Sequence, residues 1–287
     1  MVKQKRVYAV IHMFVLFAVM AVFCRVFAPD PDGMQRISWQ TAGLVLLTAV
    51  VVHGLKAFRL YFALYGKGVS FQNHMKQYSK TVIVSMVLPV KSGDLFRAYC
   101  YGSLVQSWYS GIVLTVLDRF ADTLALVTMM LLMEAAGISQ AIPLLYVLLA
   151  VLSGMFVCYL ICPEICGYWK KYFLRLDASV RRNRVLRSLD YLEHAYAEVA
   201  AVVKGKGVIL YALSLMAWAV ETGGLVILDR ILSGQCTGQA VSMYLTAALA
   251  GTESAYLKQF VGVSVVLLSL LYLLFSISGM IRRGGIR

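Results

Sequence analysis

Six long apolar blocks constrain the fold of this chain more than any other feature of its sequence. Each block reaches or exceeds the roughly 20 residues that a helix needs to cross the hydrocarbon core of a bilayer. The blocks are 7–28, 39–65, 111–136, 141–162, 208–232 and 260–280. Only 14% of the 287 residues are charged, whereas about 25% is usual in soluble domains. The sequence therefore predicts an all-α, polytopic membrane protein that forms a single domain over 1–287.

The basic residues predict how this protein is oriented in its membrane. The net charge is +13, and the charges concentrate in the short connectors between the apolar blocks. The positive-inside rule accounts for such a pattern, and no nucleic-acid reading motif is present, so no nucleic-acid partner is expected. Block 7–28 follows basic residues like a signal peptide, but it is longer than a usual signal-peptide core, so we expect an uncleaved helix. Both termini are predicted to be cytoplasmic.

Two segments do not fit a simple up-and-down arrangement of helices. Segment 81–110 must enter and leave on the cytoplasmic side, and its apolar part, 82–90, is too short to span. A proline and Gly93 interrupt it, as expected of a backbone broken at membrane depth. The same reasoning applies to 239–258, where the apolar run ends near Glu253. We therefore predict six spanning helices and two re-entrant helical hairpins, one from each side.

The longest connector, 163–206, has a character of its own. It carries nine Lys or Arg against five Asp or Glu, and aromatic residues alternate with arginines along it. This pattern is typical of a basic amphipathic helix or helical pair on the anionic cytoplasmic leaflet. A plain basic loop that fixes the topology is the alternative, and the sequence does not separate the two.

The cysteines do not predict a metal centre. Three of the six cysteines, Cys158, Cys162 and Cys166, recur at a spacing of four residues and so form one helical stripe. A zinc site would need histidine or carboxylate neighbours, which are absent from that stripe. Small residues packed between helices explain the stripe. We expect no metal and no cofactor.

Charged residues inside the apolar regions are candidate functional residues, because an ionisable side chain is costly in a bilayer. The first group comprises Lys91, Asp94 and Arg97, beside the break at Gly93. A helix that begins near this break would present free amide groups to an anion. Asp94 and Arg97 are three residues apart and are predicted to pair along that helix.

The second group lies in block 111–136. Asp118 and Asp122 are four residues apart and share one helix face, and Arg119 can reach Asp122. The predicted hairpin precedes this helix by a few residues, so we expect Arg97 and Asp118 to meet. These residues form either a lipid-binding site or a structural salt bridge that holds the hairpin to the helix. Acid–base catalysis stays open on spacing alone.

The third group is His53, Lys56 and Arg59 in block 39–65. Arg59 lies near the cytoplasmic end, where a long basic side chain can reach the head groups. Lys56 lies deeper in the block. A contact with a lipid phosphate is the functional interpretation, and a basic helix end at the membrane surface is the structural one.

Taken together, these motifs resemble the lysylphosphatidylglycerol synthase transmembrane-region family of flippase-like membrane proteins. The family has a glycine and an acid followed by an arginine, and then an acid–arginine pair with an aspartate three residues later. The matching residues here are Gly93, Asp94, Arg97, Asp118, Arg119 and Asp122. Asp118 stands where the family usually has glutamate. In the C-terminal half only Gly251 and Glu253 hint at a second family motif.

The resemblance implies a lipid-translocating module of the bacterial plasma membrane. In full-length members this region moves an aminoacylated phospholipid between leaflets, and a separate soluble domain makes that lipid. The chain has no room for such a domain, so we do not expect phosphatidylglycerol lysyltransferase activity from it. Stand-alone members resemble proteins of envelope-glycan pathways, which adds a polyprenyl-linked lipid to the candidate ligands.

The expected partners follow from the same resemblance. They are membrane lipids and a separate synthase or glycosyltransferase, and a homo-oligomer stays open. A membrane-embedded lipid transferase and a non-catalytic scaffold for an envelope enzyme are the alternative functions.

Overall fold

Seven helices account for nearly all of the computed structural model, which describes residues 39–88, 92–137, 143–177, 179–233 and 255–284, with positions 19, 21, 23, 241, 244 and 245. In chain order they are α1 (Trp39–Ala63), α2 (Phe71–Val87), α3 (Ser92–Val105), α4 (Trp108–Ala135), α5 (Pro143–Arg175), α6 (Val180–Ser233) and α7 (Ala255–Gly284). None of the described residues forms a strand. The predicted all-α class is confirmed.

Serine caps begin α2 and α4, and a residue with a positive φ separates α3 from α4. The Ser70 hydroxyl accepts a hydrogen bond from the Asn73 amide at the start of α2, and the Ser107 hydroxyl accepts one from the Ser110 amide at the start of α4. Serine at this position satisfies an amide that the first helical turn leaves free. Gln106, with φ of 56°, turns the chain between α3 and α4.

Four of the helices are long and apolar enough to cross a membrane, which indicates a membrane protein. They cover Trp39–Ala63, Leu145–Arg175, Val180–Leu228 and Tyr256–Ser278. The prediction of six spanning helices is thus confirmed for four blocks. Block 7–28 falls almost wholly outside the described residues. Block 111–136 forms most of α4, but it carries four charged residues, Asp118, Arg119, Asp122 and Glu134, and is not among the four candidate spans.

The helices pack around α6, which contacts α1, α4 and α5. The helices α2 and α3 form a hairpin whose first arm packs on α7 and whose second arm packs on α4. Glycines permit the close approach of α2 to α3 and of α3 to α4. A Cβ at Gly93 would lie 2.4 Å from the Ser85 Cα, and one at Gly111 would lie 2.2 Å from the Ala98 carbonyl oxygen. The predicted hairpin is therefore two helices in tight contact, which places Arg97 against α4.

The basic connector 163–206 is helical in almost all of its described residues. The helix α5 continues through Pro163 to Arg175, and α6 begins at Val180 and is unbroken for 54 residues. At about 1.5 Å per residue, α6 is roughly 80 Å long, far longer than the roughly 30 Å hydrocarbon core. The connector is therefore a helical arm made of the end of α5 and the start of α6, and not a plain loop, whereas its position on the cytoplasmic leaflet stays a prediction.

Contacts between the two halves of the arm explain why it forms. Lys170 on α5 pairs with Asp190 and Glu193 on α6, at 2.7 and 2.8 Å. The rings of Tyr159 and Tyr196 stack with centroids 5.2 Å apart. These partners are 20 or more residues apart in sequence, so local pattern did not reveal them.

The cysteine stripe lies on α5. Cys158 is exposed and Cys166 is buried, and the sulfur atoms of Cys162 and Cys166 are 3.9 Å apart. The stripe therefore runs from an exposed face into a helix contact. Within the described residues, no cluster of histidine, cysteine and carboxylate side chains is arranged to hold a metal.

Candidate functional site

A buried ion-pair network joins α1, α3 and α4. The carboxylate of Asp118 accepts hydrogen bonds from Arg59 through one oxygen and from Arg97 through the other, the latter at 2.5 Å. Arg59 also donates to Asp122 at 2.9 Å and to the hydroxyl of Ser214 on α6. The Arg59 side chain is only 3% exposed. It is therefore the centre of the network and not a basic helix end at the membrane surface, so that interpretation is wrong.

A second pair forms the outer part of the site. Asp94, in the first turn of α3, accepts hydrogen bonds from the guanidinium of Arg119 on α4, one of them at 2.8 Å. The Arg119 side chain is 45% exposed, so this pair marks the exposed rim of the site. The predicted pairing of Asp94 with Arg97, and of Arg119 with Asp122, does not occur. Each of the two hairpin residues pairs instead with α4, because α3 lies along that helix.

A third pair extends the site toward α6. The Lys56 ammonium lies 3.4 Å from a carboxylate oxygen of Glu221 and 5.3 Å from the ring centroid of Trp218. The other oxygen of Glu221 accepts a hydrogen bond from the Tyr244 hydroxyl. The Trp218 indole donates to the Asp122 carbonyl at 3.2 Å, which ties this branch to the network around Arg59.

The charges of these pairs balance. Every cation has a carboxylate within 4 Å, and a buried ion pair survives only with such compensation. The set contains four cations and four carboxylates: Lys56, Arg59, Arg97, Arg119, Asp94, Asp118, Asp122 and Glu221. The network therefore carries no formal net charge.

A cavity of about 120 Å³ lies beside the network. A cavity of this size holds several water molecules, or one phosphate or carboxylate group. Residues of α1, α2, α3 and α4 line it, among them Lys56 and Arg119. It is thus enclosed on the side of Lys56 and reaches the exposed rim at Arg119.

Four of the residues that line this cavity each have a buried polar atom with no hydrogen-bond partner within the described chain. These atoms are His53 Nε2, Arg59 Nε, Ser85 Oγ and Arg97 Nε. The two guanidinium Nε–H groups are obligatory donors, and the serine hydroxyl can donate. His53 Nδ1 lies 3.1 Å from the Tyr78 hydroxyl. When Nδ1 accepts from that hydroxyl, Nε2 carries a proton and becomes a fourth donor.

Such a set of donors fits an oxyanion. A buried donor without a partner is unfavourable, by about 1–3 kcal/mol, so several of them among the residues around one small space are rare unless something accepts from them. Phosphate and carboxylate oxygens accept from several donors at once, and hydrogen bonds to them are among the strongest in proteins. The arrangement can therefore bind an anionic group between α1 and the hairpin.

Most of the residues selected from the sequence do come together. Arg97 and Asp118 meet as predicted, and Asp118 and Asp122 share the face that contacts Arg59. Gly93 packs closely against Ser85 of α2 and has no side chain that could contact a ligand. Lys91 and Glu253 lie outside the described residues, as does most of the second predicted hairpin.

Sequence reasoning missed Ser85, Ser214 and Glu221. Glu221 is an ionisable residue in the middle of apolar block 208–232, so the reasoning that selected Lys56 applies equally to it. The two serines carry no comparable signal, because serine is common in spanning helices.

Comparison of the chain with protein-family models, with curated proteins and with solved structures finds no match.

Proposed function

We propose that this protein is a lipid-translocating module that binds the phosphate of a membrane lipid in the cavity between α1 and the α2–α3 hairpin. The observation that carries the proposal is that Arg59, Arg97 and Ser85, each with a buried donor that has no partner within the described chain, line one cavity of phosphate size. The spacing of the motif residues, which resembles that of flippase-like membrane proteins, supports it. The ligand is an anionic or aminoacylated phospholipid, or a polyprenyl-linked lipid phosphate.

The surroundings of the site favour a lipid over a soluble anion. The cavity reaches the surface at Arg119, where nearby apolar side chains are exposed: Leu95, next to Asp94, is 74% exposed, and Val116, one turn before Arg119 on α4, is 45% exposed. Large exposed apolar side chains on a membrane protein lie against acyl chains. A lipid can therefore place its head group at the Asp94–Arg119 rim while its chains stay in the bilayer.

The proposed topology extends the four helices that are long and apolar enough to cross a membrane. Six helices span the plasma membrane of a bacterium, both termini are cytoplasmic, and the α2–α3 hairpin and segment 239–258 are re-entrant. In this arrangement the hairpin brings the cavity to membrane depth, where a head group crosses. Passage of a head group then displaces the hairpin relative to α4. The Arg97–Asp118 and Arg119–Asp94 pairs join these two elements, so they break and re-form during that motion.

Leaflet exchange in proteoliposomes tests this function. The full chain is reconstituted with acyl-labelled phosphatidylglycerol, and dithionite quenches the label in the outer leaflet. We expect the label to become fully accessible with wild-type protein. Loss of a cavity donor in Ser85→Ala, which breaks no ion pair, slows exchange, and Arg97→Gln slows it further. Arg187→Gln on the exposed arm is the matched control and keeps the wild-type rate.

The outcomes separate the proposal from its alternatives. Wild-type protein that is folded but exchanges no labelled phospholipid or polyprenyl phosphate would contradict translocation. Covalent change of the lipid, detected by mass spectrometry in the same vesicles, would favour a transferase. Equal rates in Ser85→Ala and wild type would show that the head group does not use the cavity.

A further inference from the structure

Among the carboxylates of the network, Glu221 is the one on α6. It lies near the middle of apolar block 208–232 on α6, 15 residues or about 22 Å along the helix from Lys206. Its side chain is 6% exposed. A carboxylate at this depth is held only by its partners, since hydrocarbon does not solvate it. Its state therefore depends on those partners.

Those partners are one cation and one hydroxyl. Lys56 is held loosely, because its 3.4 Å separation from Glu221 exceeds the roughly 2.7–2.9 Å of a charge-assisted hydrogen bond. Lys56 also lines the cavity, whereas Glu221 does not. Lys56 thus stands between the proposed head-group site and Glu221, and its flexible stem lets it turn to either one.

An anion in the cavity changes this balance. The eight charges of the network cancel before an anion enters, so the anion leaves one uncompensated negative charge in a medium of low dielectric constant. Lys56 is the only network cation that lies beside both the cavity and Glu221 among the described residues. When Lys56 turns toward the anion, the Glu221 carboxylate loses its cation.

We propose that Glu221 takes up one proton from water for each anionic head group that the cavity binds, and releases it when the head group leaves. This rests on the proposed function and adds proton coupling to it. The step is a protonation of one carboxylate oxygen. The other oxygen keeps the hydrogen bond from Tyr244, and no further reactant is required. Movement of an anionic lipid is then driven by a proton gradient.

Other titratable groups surround Glu221. Lys56 faces it from α1, with His53 and Arg59 one turn to either side of Lys56 on that helix. From the elements on the other sides come Asp122 on α4, through Trp218, and the hydroxyls of Tyr244 and Tyr256. His53 lies at the cavity itself and is the rival proton acceptor. A test must therefore separate Glu221 from His53.

Calorimetry of the detergent-solubilised full chain with dihexanoyl phosphatidylglycerol supplies that test. Titrations in buffers of different ionisation enthalpy count the protons taken up, and titrations at several pH values give the affinity. For wild type we expect about one proton per bound lipid, and an affinity that falls about tenfold per pH unit as the pH rises over the range where Glu221 is charged in the free protein.

The variants give sharply different expectations. Glu221→Gln frees Lys56 permanently, so it binds the probe without proton uptake, at least as tightly as wild type and independently of pH. His53→Gln weakens binding, because it removes a cavity group, but keeps the proton uptake. Glu164→Gln, the same change at an exposed site on α5, behaves as wild type.

Each remaining result contradicts a specific statement. Wild-type binding without proton uptake, or uptake that persists in Glu221→Gln, overturns the coupling and leaves the proposed function standing. Uptake lost in His53→Gln assigns the proton to His53 and overturns the role of Glu221. No binding to the wild-type cavity overturns the proposed function and the coupling with it.

Discussion

Replacing Asp118 by asparagine removes the carboxylate that joins Arg59 to Arg97. The two arginines do not depend on it equally. Arg59 keeps Asp122 at 2.9 Å and the hydroxyl of Ser214, whereas Asp118 is the one carboxylate paired with Arg97 among the described residues. The substitution therefore leaves one buried cation, Arg97, without its counter-ion.

The expected loss of stability follows from this one unpaired buried charge. Removing one partner of a buried ion pair destabilises a protein by about 3–5 kcal/mol, since the remaining charge stays buried. Asp118 is 5% exposed and Arg97 is 7% exposed, so the full penalty applies to Arg97. We expect Asp118→Asn to lower the free energy of unfolding by about 3–5 kcal/mol. The double variant Arg97→Gln/Asp118→Asn loses about 1–3 kcal/mol less than the sum of the single variants, because it removes both charges.

Unfolding in mixed micelles with a rising fraction of dodecyl sulfate measures both effects, with helix content followed by circular dichroism. Asp190→Asn is the matched control, since Asp190 pairs with Lys170 on the exposed arm, and exposed pairs contribute little. Single variants no less stable than this control, or a double variant equal to the sum, would refute the buried pairing of Arg97 with Asp118.

Two further predictions concern packing and exposure. Gly111→Ala forces α3 and α4 apart, because its Cβ would meet backbone atoms within 2.4 Å. We expect it to lower the free energy of unfolding by about 1–3 kcal/mol or more in the same assay. Gly154→Ala on α5, where a Cβ meets nothing within 4 Å, is the neutral control. Cys158 is exposed and Cys166 is buried, so a lipid-soluble photoactivated carbene, which needs no thiolate, should modify Cys158 in folded protein and Cys166 only after unfolding; equal modification of both would contradict the packing of α5 on α6.

The parts of the fold that the sequence predicts depend on long or local patterns. Continuous apolar blocks are visible without knowledge of packing, so four of them correspond to helices long enough to span. The meeting of Arg97 with Asp118 was predictable because the hairpin and α4 are adjacent in sequence. The shared face of Asp118 and Asp122 follows from helical spacing alone.

The parts that sequence analysis missed depend on contacts between distant residues. Arg59 is near a helix end, and its position alone suggests a side chain at the surface. Its partners Asp118 and Ser214 are 59 and 155 residues away, and only packing brings them to it. The sequence likewise left a helical arm and a plain loop equally open over 163–206. The pairing of Lys170 with Asp190 and Glu193 on α6, which favours the helical arm, joins residues 20 or more positions apart.

The central claim is that the phosphate of a membrane lipid binds between α1 and the hairpin. An experimental structure of the wild-type chain in nanodiscs of phosphatidylglycerol tests it most directly. The claim predicts phosphate density in the cavity, within hydrogen-bond distance of the Nε atoms of Arg59 and Arg97 and the hydroxyl of Ser85. Well-resolved lipid phosphates elsewhere, with water alone in this cavity, would contradict it.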